Sequence, residues 1–130
     1  MAFQEFTEIN KKRSHFVSIS SHQAINFGGD WLEQNNLADK KFVKLFFNFE
    51  QETGKYQIGF RFVDENSEGT AFKLIINKGT ESKAIVARSF FLKYLNDLNI
   101  DEFEKRYKPQ KIEDQNFGSL WIITLKKKQV

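Results

Sequence analysis

The feature that most constrains the fold is a regular alternation of apolar and polar residues in two runs, residues 41–50 and 56–63. A period of two places successive side chains on opposite faces of a strand, so both runs are predicted strands. Residues 50–55 between them contain Gly54 and are predicted to form a hairpin loop. The first face carries Val43, Leu45, Phe47, Phe49, Ile58, Phe60 and Phe62. The opposite face carries Phe42, Lys44, Phe46, Asn48, Gly59 and Arg61.

Aromatic content points to the same class of structure. Phenylalanine accounts for 15 of the 130 residues, whereas proline and methionine occur once each. Because exposure of this many rings to water is unfavourable, most of them should lie in a core. The scarcity of proline and the many β-forming residues favour sheets. A chain of 130 residues with 40% hydrophobic residues is long enough for one core. We therefore predict a single domain that covers residues 1–130.

Shorter patterns complete the predicted order of elements. Six more strands are predicted, at residues 15–20, 24–27, 71–77, 83–87, 103–107 and 120–126. Helices are predicted at residues 30–37 and 88–98, the second with Ser89 as N-cap. The order strand-strand-helix-strand-strand thus occurs twice, in pseudo-repeats at residues 15–63 and 71–126, after a frayed N-terminus at residues 1–12. The predicted class is α+β, mainly antiparallel sheet, with a pseudo-duplication.

Composition excludes several classes of function. The chain contains no cysteine, which removes disulfides, thiolate catalysis and cysteine-ligated zinc. No apolar stretch approaches the ~20 residues that a membrane-spanning helix needs, and the first residues lack the continuous apolar segment of a secretory leader. These features predict a cytoplasmic protein that does not insert into membranes. No pattern of side chains predicts a metal or a cofactor.

Histidine and serine residues do not form a recognisable nucleophilic site. His15 and His22 lie close in sequence to Ser18 and Ser20. A serine nucleophile needs a base and an orienting carboxylate, and the Gly-x-Ser-x-Gly turn of one common form is absent from the sequence. We expect these residues to be half-exposed polar groups on strands.

Two further patterns match known binding loops only in part. Residues 64–69 begin like a calcium loop with Gly69 in sixth place, but Ile75 occupies the twelfth position, where that loop requires glutamate. Gly54 and Gly59 have the spacing of a phosphate-binding loop, yet the lysine and hydroxyl residue that must follow are absent. The acidic residues after the second helix are expected to be solvated surface: Asp97, Asp101, Glu102 and Glu104. We therefore predict that the protein is not an enzyme.

One sheet face offers a binding surface instead. If Phe47, Phe60 and Phe72 face the core, the alternation places Lys44, Phe46, Arg61, Lys73 and Ile75 on the opposite side. Single-stranded nucleic acids are bound by such surfaces, where cations contact phosphates and rings stack on bases. Lys78 and Lys83 flank the next turn and extend this surface. The predicted nucleic-acid-binding residues are Lys44, Phe46, Arg61, Lys73, Lys78 and Lys83.

The charge distribution permits this prediction without requiring it. The chain carries 20 basic and 17 acidic residues, a net charge of +3, and its isoelectric point is near 9.1. Residues 66–130 hold 12 of the basic and 8 of the acidic residues, so the second half supplies the positive field. Basic runs at residues 11–13 and 126–128 are further candidates for phosphate contacts.

Two alternatives stay open at the level of sequence. In the structural alternative a helix covers the second face, Phe46 and Ile75 belong to the core, and the lysine side chains extend past it to solvent. In the functional alternative the chain is an accessory module, encoded by a mobile element in one scenario, that binds a protein partner through the same apolar patch. A homo-oligomer is also compatible with the sequence.

The order of elements resembles two families of DNA-binding proteins. Residues 42–98, four antiparallel strands followed by a helix at Arg88, resemble the unit of the Whirly and positive-cofactor-four single-strand-binding proteins. That resemblance implies paired sheets that present basic and aromatic residues to nucleic acid. Residues 20–63 resemble the AbrB/SpoVT swapped-hairpin regulators of duplex DNA, although Gln23 and Gly28 stand where those regulators commonly carry arginine and proline.

The predicted function follows from the second face and from the first resemblance. We expect a non-enzymatic protein that binds nucleic acid, with single-stranded DNA or RNA favoured, and that acts in transcription regulation. The alternatives are the protein-interaction module and an AbrB-like regulator that binds duplex DNA.

Overall fold

The computed structural model describes residues 2–7 and 14–129. Within these residues the chain forms ten β-strands, two short α-helices and one 3₁₀ turn at Ile100–Glu102. In chain order the elements are β1 (Val17–Ile19), β2 (Ala24–Phe27), α1 (Gly29–Gln34), β3 (Phe42–Glu50), β4 (Lys55–Val63), β5 (Phe72–Lys73), β6 (Ile75–Ile76), β7 (Lys83–Val86), α2 (Arg88–Tyr94), β8 (Arg106–Tyr107), β9 (Gln110–Asp114) and β10 (Gly118–Thr124). Neither of the described helices is long and apolar enough to cross a membrane.

The strands form two antiparallel sheets of five strands each, which confirms the α+β class with mainly antiparallel sheet. Sheet I has the order β6-β7-β2-β1-β8, and sheet II has the order β5-β3-β4-β10-β9. The hairpins β1–β2 and β6–β7 meet through the pair β2–β7, and the hairpins β3–β4 and β9–β10 meet through the pair β4–β10. A hairpin in sheet I, a helix and a hairpin in sheet II therefore occur twice along the chain.

Aromatic side chains between the two sheets form the centre of the core. The ring of Phe27 in sheet I contacts the rings of Phe60 and Phe62 in sheet II edge to face, at centroid distances of 5.2 and 5.1 Å. Trp31 of α1 and Phe90 of α2 are buried in the same core. Full burial of one such side chain contributes about 1.5–3 kcal/mol. The inward-facing half of the alternation is thus what holds the sheets together.

The predicted strand at residues 71–77 is divided between the two sheets. β5 pairs with β3 in sheet II, whereas β6 pairs with β7 in sheet I. Leu74 between them is buried, and its N–H donates to the carbonyl of Lys41 at 2.9 Å. Because the chain turns a corner at this residue, the alternation does not continue through it. An unbroken alternation through residues 71–77 would turn Ile76 to the core with Phe72, but Ile76 is 67% exposed.

Both helices are shorter than their sequence patterns predict. α2 ends at Tyr94, and the residue that precedes its first turn is Ala87, so the prediction of Ser89 as N-cap is wrong. Leu95 is buried all the same, because the chain after α2 stays close to the core. α1 ends at Gln34, three residues before the end predicted from the sequence.

One strand, β9, has no counterpart among the predicted strands. Ile112 is its only aliphatic residue, so β9 lacks the apolar alternation that marks β3 and β4. It pairs with β10 at the edge of sheet II, a position where charged residues are common. The predicted strand at residues 103–107 is reduced to β8 and an isolated pairing of Phe103 with Lys127.

Part of the predicted N-terminal organisation lies outside the described residues. This applies to the basic run at residues 11–13 and to residues 1 and 8–12 of the predicted frayed segment. Residues 2–7 contain neither helix nor strand, and Phe3 and Phe6 are exposed.

The strands of residues 42–98 do not belong to a single sheet. β3, β4 and β5 lie in sheet II, whereas β6 and β7 lie in sheet I. The four-stranded unit expected from the first resemblance is thus distributed over both sheets. The two family resemblances stay predictions.

Candidate functional site

The predicted binding surface is the side of sheet II that faces away from the core, which we call the outer face. Val43 and Phe62 lie opposite each other on β3 and β4 and are buried in the core. The next pair along the strands, Lys44 and Arg61, therefore points to the other side. By the same alternation Phe46 also lies on the outer face. Three of the predicted site residues are thus brought together.

Both helices pack on the core side of sheet II. Trp31 of α1 contacts Phe62 at a centroid distance of 5.9 Å. Tyr94 of α2 stacks on Phe47 at 4.4 Å, with 16° between the ring planes. Because Phe47 and Phe62 point away from Phe46, these contacts place the helices opposite the outer face. In the part of the chain that the structure describes, neither helix packs over Phe46, although Tyr94 of α2 lines a cavity together with Phe46.

Three cations gather at one end of the outer face. Lys44 and Arg61 are direct neighbours across an antiparallel strand pair, an arrangement of like charges that destabilises a sheet. Lys73 on β5 lies opposite Phe42, two residues before Lys44 on the same face, and its side chain is exposed. We call Lys44, Arg61 and Lys73 the cation group. Clustering gives this end a stronger positive field than the net charge of the chain implies.

Two members of the cation group contact other side chains. Lys44 Nζ lies 3.0 Å from the carboxylate of Glu68 in the loop after β4, and the Glu68 side chain is 71% exposed. The guanidinium group of Arg61 lies 5.3 Å from the centre of the Phe46 ring. An exposed ion pair contributes only about 0–1 kcal/mol, so a ligand phosphate can replace the Glu68 carboxylate at small cost. The cation–ring contact holds Phe46 beside Arg61.

Next to the cation group the outer face is concave. Phe46 on β3 and Phe117 in the turn before β10 form one wall, with ring centroids 4.8 Å apart. The floor consists of Gly59 on β4 with Leu120 and Ile122 on β10. We call this cavity of about 400 Å³ the trough. Leu120 is only 5% exposed although it lies on the outer face, so the trough shields its floor from water.

Neutral polar groups border the trough on the side away from the cation group. The side-chain amide of Asn48 donates to Gln57 Oε1 at 2.9 Å, and Gln57 Nε2 donates to the hydroxyl of Thr124 at 3.1 Å. This row crosses β3, β4 and β10 on the outer face. The trough therefore lies between cations at one end and hydrogen-bonding amides at the other.

Lys78 and Lys83 do not join the cation group. Lys78 is exposed in the turn between β6 and β7, and Lys83 begins β7, so both belong to sheet I. The ammonium group of Lys83 donates to the carbonyls of Ala38 and Lys40 in the segment after α1. These bonds engage Lys83 in the fold itself.

Ile75 was also expected beside Lys44 and Phe46, and this expectation is wrong. Ile75 lies on β6 opposite Ala84 in sheet I and is 53% exposed. The change of sheet at Leu74 is the cause, because it transfers every later residue of this segment to sheet I.

The basic run at residues 126–128 lies along acidic residues of the same chain. Phe103 pairs with Lys127, and the N–H of Lys128 donates to the carbonyl of Glu102 at 2.9 Å. The ammonium group of Lys105, 2.9 Å from Asp101, lowers the pKa of that carboxyl, and Lys128 adds to the effect. Lys128 therefore lies near a carboxylate, which weakens its attraction for phosphates.

The loop at residues 64–69 does not gather its carboxylates around one point. Asp64 pairs with Lys40 at 3.3 Å and Glu68 pairs with Lys44 at 3.0 Å. In the part of the chain that the structure describes, no three His, Asp or Glu side chains are grouped so that they could hold a metal ion.

Phe117 is the site residue that sequence reasoning missed. The N–H groups of Asn116 and Phe117 donate to the carboxylate of Asp114 at 2.9 and 3.0 Å, and Gly118 adopts a φ of +75° that favours glycine. This turn fixes the hairpin between β9 and β10 and places Phe117 beside Phe46. An aromatic residue in an Asn-Phe-Gly turn was the available signal, since a turn exposes its side chains.

Comparison of the chain with protein-family models, with curated proteins and with solved structures gave no match.

Proposed function

We propose that the outer face of sheet II binds single-stranded nucleic acid and catalyses no reaction on it. The observation that carries this proposal is the position of Lys44 directly opposite Arg61. Two cations side by side weaken the strand pair that holds them. Binding of an external anion therefore explains their placement better than a contribution to the stability of the fold does. Lys73 adds a third positive charge on the same face.

The aromatic side chains next to the cation group favour a nucleic acid over a small anion. Phe46 follows Lys44 by two residues, which is a distance of about 7 Å along a strand. Its ring lies against the Arg61 guanidinium group and opens onto the trough. A nucleic acid strand, in which phosphates and bases alternate, fits cations and rings at such a separation. Its phosphates pair with the cations and its bases stack on the rings.

The shape of the surface favours a single strand over a duplex. In a double helix the faces of the bases are stacked on each other, whereas an unpaired strand can splay its bases onto a protein surface. Phe46 and the floor of the trough are recessed on the outer face, so a ligand must bring a flat apolar group into them. A cytoplasmic location and a role in transcription regulation, both expected from the sequence, belong to the same proposal.

Fluorescence anisotropy with labelled single-stranded DNA, single-stranded RNA and duplex DNA tests the proposal. The variant Lys44→Gln/Arg61→Gln/Lys73→Gln removes the cation group. The control Arg88→Gln/Lys93→Gln/Arg106→Gln removes three exposed cations from α2 and β8, and both variants lose three positive charges. We expect single strands to bind more tightly than duplex at low salt. The first variant should lose at least about tenfold in affinity, and the control much less.

The proposal is contradicted if the wild-type protein binds none of the three oligonucleotides. An equal loss in both triple variants also contradicts it, because binding would then depend on overall charge and not on the outer face.

A protein partner is the second candidate, favoured by apolar side chains at the edge of sheet I. Ile75, Ile76 and Val86 on β6 and β7 are 53%, 67% and 62% exposed. Ile75 and Val86 share one face of the pair β6–β7, and exposed aliphatic groups that lie together in this way mark sites of protein interaction. Association with such a partner should persist at high salt, survive loss of the cation group and disappear in Ile75→Asp. Sedimentation of the protein alone would show whether the partner is a second copy of the chain.

A further inference from the structure

The floor of the trough depends on a glycine in the middle of a long strand. β4 has nine residues, and Gly59 is the only glycine among them. A Cβ atom at this position would lie 3.1 Å from Phe46 Cβ and 3.5 Å from Leu120 Cδ1. Glycine inside a strand weakens it and often marks a place where another group approaches the backbone closely. Here it lets Phe46 and Leu120 pack close to the backbone of β4, and a side chain at this position would displace them.

The aromatic wall of the trough is held in place and partly exposed. Phe117 is 51% exposed, and the turn that carries it is fixed by two hydrogen bonds to Asp114. The ring of Phe117 is tilted by 52° from that of Phe46, so the two rings form a stepped surface. Rings fixed before binding can receive a flat aromatic ligand without much loss of conformational freedom.

The polar lining of the trough fits the edge of a heterocyclic base. Asn48, Gln57, Asn116 and Asp114 line the trough together with its apolar floor, and the Asp114 carboxylate accepts hydrogen bonds from the turn that carries Phe117. Side-chain amides carry both donors and acceptors, which are the groups that read the edge of an unpaired base. The volume of about 400 Å³ lies at the lower end of the range for ligand sites.

We infer that the trough receives one unpaired base of the bound strand, stacked on Phe117 and in contact with Phe46, while Arg61 and Lys44 hold the adjacent phosphate. This inference rests on the proposed function and deepens it, because it assigns to the hairpin β9–β10 a contact with bases rather than with the sugar-phosphate chain. The base must leave its neighbours to enter the trough. A preference for strands with unpaired bases follows from this requirement.

Two ligands of equal length separate this inference from the proposed function. One is a single-stranded oligonucleotide that contains 2-aminopurine, a base whose fluorescence depends on its stacking. The other is a strand of abasic sugar-phosphate units, which has the same charge and no bases. The wild-type protein should change the fluorescence of 2-aminopurine and bind the first ligand at least about tenfold more tightly than the second.

Variants locate the effect in the trough. Phe117→Leu keeps an apolar side chain and removes the ring, and Gly59→Val fills the floor. Both should reduce the preference for bases and the change in fluorescence, whereas binding of the abasic strand stays unchanged. Phe49→Leu is the matched control, because Phe49 is an exposed ring of β3 that points away from the outer face. If Gly59→Val does not fold, Phe117→Leu alone decides the question.

The outcomes are distinguishable. Equal binding of both ligands, with affinity still dependent on the cation group, overturns the base contact and leaves the proposed function in place. Failure of the wild-type protein to bind either ligand overturns the proposed function. A preference for bases that Phe117→Leu and Phe49→Leu leave equally intact overturns the assignment to the trough.

Discussion

Lys44 and Arg61 occupy directly opposed positions on β3 and β4, so two positive charges meet across the strand pair on the outer face. On the opposite face the adjacent pair, Val43 and Phe62, is buried in the core. The same two strands therefore serve the fold with one face and present like charges to solvent with the other. Positions at which a charge pattern does not serve stability are candidates for function.

Replacement of Arg61 separates stability from binding. Arg61→Gln removes the repulsion by Lys44 and also the contact with the Phe46 ring, effects that oppose each other and amount to about 0.2–1 kcal/mol each. We therefore expect the free energy of unfolding, measured by urea denaturation, to change by less than about 1 kcal/mol, while affinity for single-stranded DNA falls. A large loss of stability with unchanged affinity would show that Arg61 serves the fold.

Removal of the Glu68 carboxylate should strengthen binding. Its carboxylate lies 3.0 Å from Lys44 Nζ and competes with a ligand phosphate for this cation. Glu68→Gln is expected to raise affinity severalfold at low salt, with little change in stability because the ion pair is exposed. Glu65→Gln in the same loop is the matched control, and anisotropy titrations of both variants provide the comparison. A decrease in affinity for Glu68→Gln would show that the carboxylate assists binding.

Lys83 should behave as a structural residue. Its ammonium group donates to the carbonyls of Ala38 and Lys40, and hydrogen bonds of charged donors contribute about 1.5–3 kcal/mol each. Lys83→Gln is expected to lower the free energy of unfolding by at least about 1 kcal/mol without changing affinity for nucleic acid. If affinity falls at unchanged stability, Lys83 belongs to the binding surface, as the sequence predicted.

Stability should fall in alkaline solution because of Tyr107. Burial raises the pKa of its hydroxyl above the ordinary value of 10.0, and the hydroxyl accepts a hydrogen bond from the N–H of Lys126 at 3.1 Å. The folded state therefore keeps this proton at a pH where the unfolded chain has lost it. Its contribution to stability is complete below pH 10 and is lost as the pH rises through the pKa of the folded state.

Tyr107→Phe tests this alkaline effect by urea denaturation at a series of pH values above and below 10. The wild-type protein should lose stability more steeply with rising pH than the variant does. Equal slopes for the two proteins would contradict the assignment to Tyr107.

The sequence predicts the local parts of the outer face well. β3 and β4 are joined by a short loop and carry an unbroken alternation, so the positions of Lys44, Phe46 and Arg61 on one face follow from period two alone. Lys73 follows because β5 precedes the corner at Leu74. Beyond that residue the prediction fails, since nothing in the local pattern of Ile75 and Ile76 signals a change of sheet.

The remaining errors concern contacts between distant parts of the chain. The trough forms because β10 pairs with β4, about half the chain length away, and this pairing brings Phe117 to Phe46. The other strand of that hairpin, β9, is mostly polar and has no apolar periodicity from which it could be predicted. The sequence predicts Lys83 in the binding surface because this residue flanks the turn after Lys78, whereas its partners in the structure, two backbone carbonyls near residue 40, cannot be read from side-chain types.

The salt dependence of binding to single-stranded DNA tests the central claim most directly. For single strands each phosphate contact adds about 0.7 to the slope of log affinity against log salt concentration. Loss of the three members of the cation group should therefore reduce the slope by about 2, while Arg88→Gln/Lys93→Gln/Arg106→Gln leaves it nearly unchanged. A slope that is the same with and without Lys44, Arg61 and Lys73 would contradict the assignment of the outer face as the binding surface.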